Sequence, residues 1–537
     1  MLLAGWMVQE SLVPVDFLIA QTVDGAQRAE LTRLAAASPT IEPLERPHVQ
    51  ELLRIGRADP DTWAERTPGQ GVVAQLRVLS RYAGIVASSA LLFAYAWWLA
   101  LLVLVPALMV RAMWRRQLLE HLSMQRVGVA EGLQADDWKR LAIEWTDGKE
   151  VRSFGLAGWA VDRLVRHRLA MLAPRWASEA HANKAQWKAA AVVGPPLLLA
   201  YGLVALQAAR GEVSVPVLTA VLAAGWSTLQ LTGGGEALDV EASLPAVRAA
   251  QELRQELRTP GVGAARPAAI APGVVRFEGV SFRYPAMSSP VLDRLDLEIR
   301  PGELLAIVGL NGAGKSTLIK LLAGLYTPTG GRITVAGTDI RQLGAQAWRQ
   351  HLSVVFQDFV RYQLPAWDNV ALGGASVPVS EPDIMAAAGA AGLNPVLDRL
   401  PEGWSTPLSR ARTGGVDLSG GQWQQVVLAR ALYAVRRGAW LLVLDEPTAH
   451  LDVSTEFEVF RRLAAHRGEA GLVLISHRLS TVRLADRIVF LEHGRVVESG
   501  THDTLMSAGG RYARLFRIQA ERFNRGYDTR TDPEVSR

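Results

Sequence analysis

The sequence predicts two domains, an all-α domain of membrane-spanning helices followed by an α/β domain with a phosphate-binding loop. Long uncharged runs alternate with charged stretches in the first half, whereas short β-branched runs alternate with helical patterns after Gly273. Between the halves lies RTPGVGAARPAAIAPG, whose prolines and glycines discourage both helix and strand. We therefore predict a helical domain at 1–257, a linker at 258–273, the α/β domain at 274–523 and a flexible tail at 524–537.

The composition excludes several kinds of site. The formal net charge is +5 from 57 basic and 52 acidic side chains, which does not indicate a nucleic-acid-binding protein. The chain has no cysteine, which excludes disulfides, thiolate catalysis and cysteine-bound metals. The first residues lack a basic start and include Glu10 and Asp16, so we do not expect a cleaved signal peptide.

Three uncharged runs are long enough to cross a bilayer, which takes roughly 20 apolar residues in a helix. They are Tyr82–Val110, Ala189–Ala209 and Val213–Gly235. The first run exceeds one span, and we interpret it as two helices turning near AYAWW. With a poorer candidate at residues 1–24, the total is four to five spans. Buried helices of a soluble protein are the alternative, but three such runs are hard to bury without lipid.

A phosphate loop follows the strand-like ELLAIVG. The stretch GLNGAGKST precedes the helix-like LIKLLAGLY, and its glycines would let backbone amides surround phosphates at a helix N-terminus. Lys315 should reach the β- and γ-phosphates, and Ser316 should bind Mg²⁺. The candidate nucleotide-binding residues here are Gly309, Asn311, Gly312, Gly314, Lys315, Ser316 and Thr317.

Two carboxylates end a second apolar strand, WLLVL. Such a strand delivers Asp445 and Glu446 to the edge of the sheet. There Asp445 can hold magnesium and Glu446 can polarise an attacking water. Ordinary surface acids are the alternative, which the preceding phosphate loop disfavours.

The motifs GLNGAGKST, VVFQD, LSGGQ, LLVLDEP, HLD and LISH occur in this order, and the second half resembles the nucleotide-binding domain of ATP-binding-cassette (ABC) proteins. The resemblance covers about 274–523. It implies that LSGGQ meets the γ-phosphate of a nucleotide held by the opposite subunit. The residues concerned are Ser419, Gly420, Gly421 and Gln422. An ordinary helix cap is the alternative reading of this stretch.

The same resemblance assigns further roles. It implies that Tyr284 stacks on adenine and that Gln357 binds magnesium and senses the membrane domain. It implies that His477 contacts the γ-phosphate and orients Glu446. Asp452 matches the loop that communicates between two nucleotide sites, although His450 stands where the family more often has a small residue.

A single cassette after membrane segments resembles a half-transporter of the ABC exporter type, which works as a dimer. PLERPHVQELLRIGR and EVRSFGLAGWAVDRL resemble its two intracellular coupling loops. Such exporters usually have six spans, so the resemblance implies a membrane domain shortened at its N-terminus.

The expected function is therefore ATP-driven export of an unidentified peptide, lipid or amphiphile by alternating access. ATP and Mg²⁺ are the expected cofactors, and a second half-transporter, identical or different, and the lipid bilayer are the expected partners. We expect a multi-pass protein of a bacterial-type plasma membrane with a cytoplasmic cassette and no nucleic-acid ligand. The alternatives are a soluble-type ABC ATPase acting on nucleic acid or ribosomes and a non-transporting partner of another half-transporter.

Overall fold

The computed structural model divides the chain into two compact units. The first unit comprises Met1–Ala37 and Arg46–Arg258, and the second comprises Ser38–Glu45 and Thr259–Arg537. The structure describes residues 2–58, 66–127, 129–143, 148–232, 235–257, 270–285, 287–446, 461, 469–476 and 479–528. The sequence-based domain 1–257 thus contains a short segment, residues 38–45, that packs with the second unit.

The first unit is helical throughout its described part. Its helices are α1 (Leu2–Ala37), α3 (Pro47–Arg57), α4 (Pro68–Tyr95), α5 (Trp97–Val127), α6 (Val129–Ile143), α7 (Gly148–Ser153), α8 (Ala157–Ala209), α9 (Val215–Leu229) and α10 (Gly235–Glu256). The remaining helix of this part of the chain, α2 (Glu42–Glu45), lies in the second unit.

The long uncharged run from Tyr82 contains a helix boundary. Helix α4 ends at Tyr95 and α5 begins at Trp97, and Ala96 between them is extended, with φ −158° and ψ 115°. At its other end α4 starts from a capping box, in which Thr67 accepts from the Gln70 N–H and Gln70 accepts from the Thr67 N–H. One uncharged run therefore supplies parts of two helices.

Helices α1 and α4 approach closely around two small residues. A Cβ on Gly69 would lie 2.3 Å from the Ala20 carbonyl oxygen. The Asp24 side chain, which is buried, accepts a 2.8 Å hydrogen bond from the Gly69 N–H. A carboxylate at a helix N-terminus satisfies a backbone donor and interacts favourably with the helix dipole. The pair therefore sets how α1 packs on the start of α4.

Two helices in the described part of the chain are long and apolar enough to cross a membrane. An 18-residue window within Pro68–Tyr95 has a mean hydropathy of 1.4, and one within Gln186–Ala209, the last part of α8, has 2.0. The segments Trp97–Met113 and Val215–Leu229 are apolar but shorter. Large side chains on these helices are exposed, with Leu198 at 77% and Phe93 at 60%. Apolar faces turned outward suit contact with lipid rather than a soluble core.

The second unit contains two sheets. Its strands are β1 (Val275–Phe282), β2 (Leu292–Ile299), β3 (Leu304–Gly309), β4 (Gly330–Val335), β5 (Thr338–Asp339), β6 (Leu352–Val355), β7 (Leu441–Asp445), β8 (Gly471–Ile475), β9 (Arg487–Glu492) and β10 (Arg495–Gly500). The smaller sheet has the order β2-β1-β4-β5 and is antiparallel. The larger has the order β10-β9-β3-β8-β7-β6, with all pairs parallel except β10 with β9.

The second unit also contains helices after its first strands. They are α11 (Lys315–Leu322), α12 (Ile340–Leu343), α13 (Ala345–Arg349), α14 (Ala366–Ala371), α15 (Glu381–Ala391), α16 (Asn394–Leu397), α17 (Gly420–Arg436), α18 (Leu479–Val482), α19 (His502–Ala508) and α20 (Arg511–Asp528). Every residue of β3, β7 and β8 is buried, as expected for parallel strands with both faces covered. The tail predicted from residue 524 starts as the last turn of α20.

Residues 38–45 attach to the second unit by backbone and side-chain bonds. The Ile41 N–H donates to the Leu325 carbonyl at 2.9 Å, and the Tyr326 hydroxyl donates to Glu45 at 2.6 Å. Arg349 donates to the Pro39 carbonyl. Burial and the Glu45 carboxylate raise the pKa of Tyr326 well above its usual range. The segment that includes α2 is therefore anchored beside the end of α11.

Candidate nucleotide-binding site

The phosphate loop joins the buried end of β3 to the start of α11. Gly309 has no room for a side chain, since a Cβ would lie 2.2 Å from the Leu491 carbonyl oxygen. Gly312 and Gly314 have φ of 80° and 101°, a region that favours glycine. Asn311 and Gly312 are exposed at the tip of the loop. This backbone geometry allows close approach of a ligand to the loop and to the N-terminus of α11.

Lys315 is the buried cation of the loop. Its side chain bends back so that Nζ donates to the carbonyl oxygens of Gly309 at 2.8 Å and Leu310 at 3.1 Å. Burial lowers the pKa of Lys315, while the Glu446 and Asp445 carboxylates oppose that shift. The ammonium group is thus held over the loop within the field of two carboxylates.

The two carboxylates lie at the carboxyl end of β7. Asp445 is 3% exposed, and its burial raises its pKa, an effect that the hydrogen bond from Ser316 reduces. The Glu446 N–H donates to the Ile475 carbonyl at 3.0 Å, so the backbone pairing with β8 continues one residue beyond β7. Glu446 itself has φ 47°, an unfavourable conformation for a non-glycine residue.

Gln357 completes this group of side chains. Its Nε2 donates to Glu446 Oε2 at 3.2 Å, although 89 residues separate the two in sequence. Ser316, Gln357, Asp445 and Glu446 therefore meet at one edge of the sheet, beside Lys315.

The residues fit a magnesium–nucleotide complex. A hydroxyl, an amide and a carboxylate are oxygen donors of the kind Mg²⁺ prefers, and they come from Ser316, Gln357 and Asp445. In the described part of the chain no three His, Cys, Asp or Glu residues gather into a metal site. The ligand's phosphates would therefore have to supply part of the coordination.

Tyr284 lies against the start of α11. Its hydroxyl is 3.2 Å from Thr317 Oγ1, and its ring meets those of Phe282 and Tyr326 edge to face. The Lys320 ammonium lies 6.0 Å from the centre of the Tyr284 ring. The aromatic residue predicted to stack on adenine is therefore adjacent to the phosphate loop.

The stretch LSGGQ forms the entrance of α17. Ser419 is the N-cap, Gln422 Oε1 accepts from the Ser419 N–H at 2.8 Å, and Ser419 Oγ accepts from the Gln422 N–H at 3.4 Å. Gly420 and Gly421 form the first turn. Ser419 therefore caps α17, and among the described side chains none bonds the Gly420 or Gly421 amide. Among the hydrogen bonds of the described residues, none joins this stretch to the phosphate loop.

Three residues named from the sequence lie outside the described residues. They are His450, Asp452 and His477. The structure also contains two contacts that the sequence does not indicate, Gln357 with Glu446 and Tyr326 with Glu45. Neither pair carries a local signal, because partners far apart in sequence are matched only by the fold.

Residues 292–449 match the ABC transporter family model. The chain is 42% identical over 252 residues to the ATP-dependent lipid A-core flippase of Ralstonia nicotianae, covering 46% of this chain and 41% of that protein. It is 35% identical over 390 residues to the cyclolysin secretion/processing ATP-binding protein CyaB of Bordetella pertussis, covering 72% and 51%. It is 40% identical over 261 residues to the mycobactin import ATP-binding/permease protein IrtB of Mycobacterium bovis, covering 49% and 44%.

The chain thus spans about half the length of the curated relatives it matches. A solved structure of a bacterial Atm1-family ABC exporter with ATP bound has a similar fold, with a TM-score of 0.74 and 22% sequence identity. The alignment covers 97% of this chain and 88% of that one. This similarity extends through the helical unit as well as the α/β unit.

Proposed function

We propose that this chain, whose second unit is an ABC nucleotide-binding domain, is one half of an ATP-driven exporter. One observation carries the proposal. Lys315, Ser316, Gln357, Asp445 and Glu446 converge on one sheet edge, in a chain whose other unit exposes long apolar helices. The first feature supports nucleotide hydrolysis, and the second supports a membrane location.

In this proposal the phosphate loop holds the ATP triphosphate. The exposed loop backbone at Asn311 and Gly312 and the start of α11 provide N–H donors, and Lys315 provides the charge for the β- and γ-phosphates. Ser316, Gln357 and Asp445 hold magnesium, which neutralises developing charge on the phosphates. Tyr284 stacks on adenine beside Thr317.

Glu446 is the residue that orients and polarises the attacking water. Its carboxylate is directed by the hydrogen bond from Gln357, and its backbone is fixed by the bond to Ile475. His477 and Asp452 keep the roles that the family resemblance implies, contact with the γ-phosphate and communication between sites.

The complete site requires two cassettes. In the proposed dimer, Ser419, Gly420, Gly421 and Gln422 of one chain face the γ-phosphate bound to the other. The helix-entrance amides at Gly420 and Gly421 are suited to an anion, and nothing in their own cassette's described hydrogen bonds uses them for the phosphate loop. ATP then favours the closed dimer, and hydrolysis removes that preference. The partner is a second copy or a different half-transporter.

Residues 38–45 offer a route for transmitting closure to the helices. This segment is fixed to the cassette through Ile41 and Glu45, and the chain continues from it into α1 on one side and α3 on the other. Its C-terminal part overlaps the first predicted coupling loop, Glu42–Arg57. Gly148–Leu156 is the second predicted loop.

The proposed location is a bacterial-type plasma membrane, with the cassette cytoplasmic. The transported molecule stays open among peptides, lipids and amphiphilic small molecules, because the names of the relatives mention lipid A-core, cyclolysin and mycobactin. A soluble cassette ATPase acting on nucleic acid would have no use for the exposed apolar helices.

The test is hydrolysis of Mg-ATP by the purified full chain in lipid nanodiscs, with Glu446→Gln as the comparison. The variant keeps the shape of the side chain but loses its charge, so we expect ATP binding to persist and turnover to fall by about 10²-fold or more. Equal turnover in the two proteins would overturn the assignment of Glu446. Activity only in the presence of a second half-transporter would identify a heterodimer.

A further inference from the structure

A partly buried arginine bonds the helix that begins at LSGGQ to the segment that follows Gln357. Arg430 lies on α17, three turns beyond Ser419. Its Nε donates to the Asn369 carbonyl at 2.8 Å, and its Nη2 donates to Asn369 Oδ1 at 2.9 Å. The guanidinium carbon lies 4.8 Å from the centre of the Tyr362 ring. Two parallel hydrogen bonds and a stacked ring fix the orientation of the guanidinium as well as its position.

Asn369 passes this restraint to the backbone after Gln357. It is fully buried, and its Nδ2 donates to the carbonyl oxygens of Tyr362 at 3.0 Å, Leu364 at 3.0 Å and Pro365 at 3.3 Å. Every polar atom of the amide is therefore in use. Asn369 binds the segment 362–365 on one side and Arg430 on the other.

Helix packing makes the connection stiff. The turn after α14 lies directly on α17, because a Cβ on Gly373 would stand 2.1 Å from the Arg430 carbonyl oxygen. A Cβ on Gly374 would stand 2.8 Å from the Tyr433 ring. With backbones this close, we expect α14 and α17 to move together.

The contact uses a charged group where apolar side chains could also pack. Partial burial lowers the pKa of Arg430, and the interaction with Tyr362 opposes that shift. Removing a cation even partly from water is costly, and apolar packing would join two helices at lower cost. The guanidinium differs from an apolar side chain in that its hydrogen bonds fix the orientation of Asn369 and of the segment 362–365 bound to it.

The other end of this segment lies in the candidate nucleotide site. Gln357 is bonded to Glu446, and only residues 358–361 separate it from Tyr362. At about 3.5 Å per residue, that connection spans at most roughly 17 Å. A movement of α17 would therefore be transmitted to Gln357 through only a few residues of chain.

We propose that Arg430 is a positioning residue that, through Asn369 and Tyr362, makes Gln357 follow the movements of the LSGGQ helix. When Gly420 and Gly421 bind the nucleotide held by the partner subunit, the movement of their helix would then position the Gln357 amide next to Glu446. The inference rests on the proposed ATPase function. It assigns Arg430 no contact with nucleotide.

The first test is Arg430→Lys in the full chain in nanodiscs, with Arg436→Lys as the matched control. Arg436 is exposed on the same helix, so the control makes the same chemical change without touching the network. Lysine keeps the charge but loses the paired hydrogen bonds and the stacking plane. We expect kcat for ATP to fall about tenfold with KM changed by less than about twofold, because the phosphate loop is intact.

A double-mutant cycle separates positioning from a purely structural role. If Arg430 acts through Gln357, Arg430→Lys should have little further effect on kcat in a Gln357→Ala background. The same fold-loss in both backgrounds would overturn the proposal, as would unchanged kcat in a folded Arg430→Lys protein. An inactive parent chain would instead count against the proposed function, so the two failures are distinct.

A measurement independent of activity uses Tyr362. Tyr362→Ala removes the ring under the guanidinium, whereas Tyr362→Phe retains it, and the side chain is already 40% exposed, so both variants should fold. We expect faster amide hydrogen exchange across residues 357–366 in Tyr362→Ala and Arg430→Lys but not in Tyr362→Phe. Equal protection in all three proteins would overturn the proposed restraint.

Discussion

At the residue scale, the buried carboxylate Asp445 is expected to lower the stability of the folded protein while serving the proposed magnesium site. Its pKa is raised chiefly by burial, so its charged form is less favourable in the folded protein than in the unfolded chain. Stability is consequently lost as the pH rises from the ordinary aspartate value through the raised one. Ionisable groups with shifted pKa values are common in catalytic sites, where the charge is needed for the reaction although it destabilises the fold.

Asp445→Asn should therefore raise the melting temperature of the nucleotide-free protein at neutral pH. The gain should shrink as the pH falls towards the ordinary pKa of aspartate, because the wild-type carboxyl then becomes neutral as well. Melting curves across this pH range test the expectation, and Mg-ATP turnover should be lost at every pH. A variant less stable than wild type at neutral pH would show that the contacts with Ser316 and Lys315 outweigh the cost of burial.

Tyr326 provides a second residue-scale test. Tyr326→Phe removes the hydroxyl that donates to Glu45 but keeps the ring that packs on Tyr284. We expect faster hydrogen exchange in residues 38–45, with a loss of stability of about 1 kcal/mol. Glu45→Gln, which keeps an acceptor, should show a smaller change. No difference at residues 38–45 would mean that the backbone bond at Ile41 alone holds the segment.

At the element scale, the crossing of α1 and α4 depends on a residue without a side chain. Gly69→Ala would place a Cβ 2.3 Å from the Ala20 carbonyl oxygen, so the helices would have to separate. We expect destabilisation of about 1–3 kcal/mol, measured as a lower melting temperature in nanodiscs.

Gly84→Ala is the matched control on the same helix. A Cβ there meets nothing within 4 Å, so the higher helix propensity of alanine should leave stability equal or raised by about 0.5–1 kcal/mol. If the two variants behaved alike, close packing at Ala20 would not be what requires glycine at position 69.

Also at this scale, the order of strands explains why the candidate site lies where it does. Strand β7 pairs with β6 on one side and β8 on the other, and all run parallel. Their carboxyl ends therefore share one edge, where Gln357 follows β6 by two residues and Glu446 follows β7 directly. The parallel arrangement brings together groups that are far apart in the chain.

At the scale of the whole molecule, the proposed composite site predicts complementation between two inactive proteins. Lys315→Ala damages the phosphate loop, and Gly420→Asp damages the signature and adds a negative charge facing phosphate. Each should be inactive alone. In a homodimer that mixes freely, half of the dimers carry both chains, and one of their two sites is intact, so about a quarter of wild-type turnover should return.

The measurement is ATPase activity after co-expression of the two variants, with each expressed alone as the control. No recovery in a protein shown to be dimeric would argue that each cassette hydrolyses ATP with its own residues. Recovery would also establish that a homodimer is active, which neither the motifs nor the relatives decide.

The sequence by itself determined the organisation of this protein and the candidates for its chemistry. The alternation of uncharged runs with charge predicted the helical unit, and Gly309 to Thr317 predicted a loop between a strand and a helix, as observed. This motif can be recognised in the sequence because the glycines, the lysine and the hydroxyl residue of a phosphate loop lie within a few consecutive residues.

Tertiary structure alone decided which distant residues meet. Arg430 looks like an ordinary helix-surface arginine in the sequence, and Glu45 looks like a loop acid, yet one is hydrogen-bonded to Asn369 and the other binds Tyr326. The physical reason is that a side chain's identity states what it can bond to, whereas the packing of strands and helices determines which partner lies within reach. Only the fold, therefore, could show that the LSGGQ helix and the segment after Gln357 are joined.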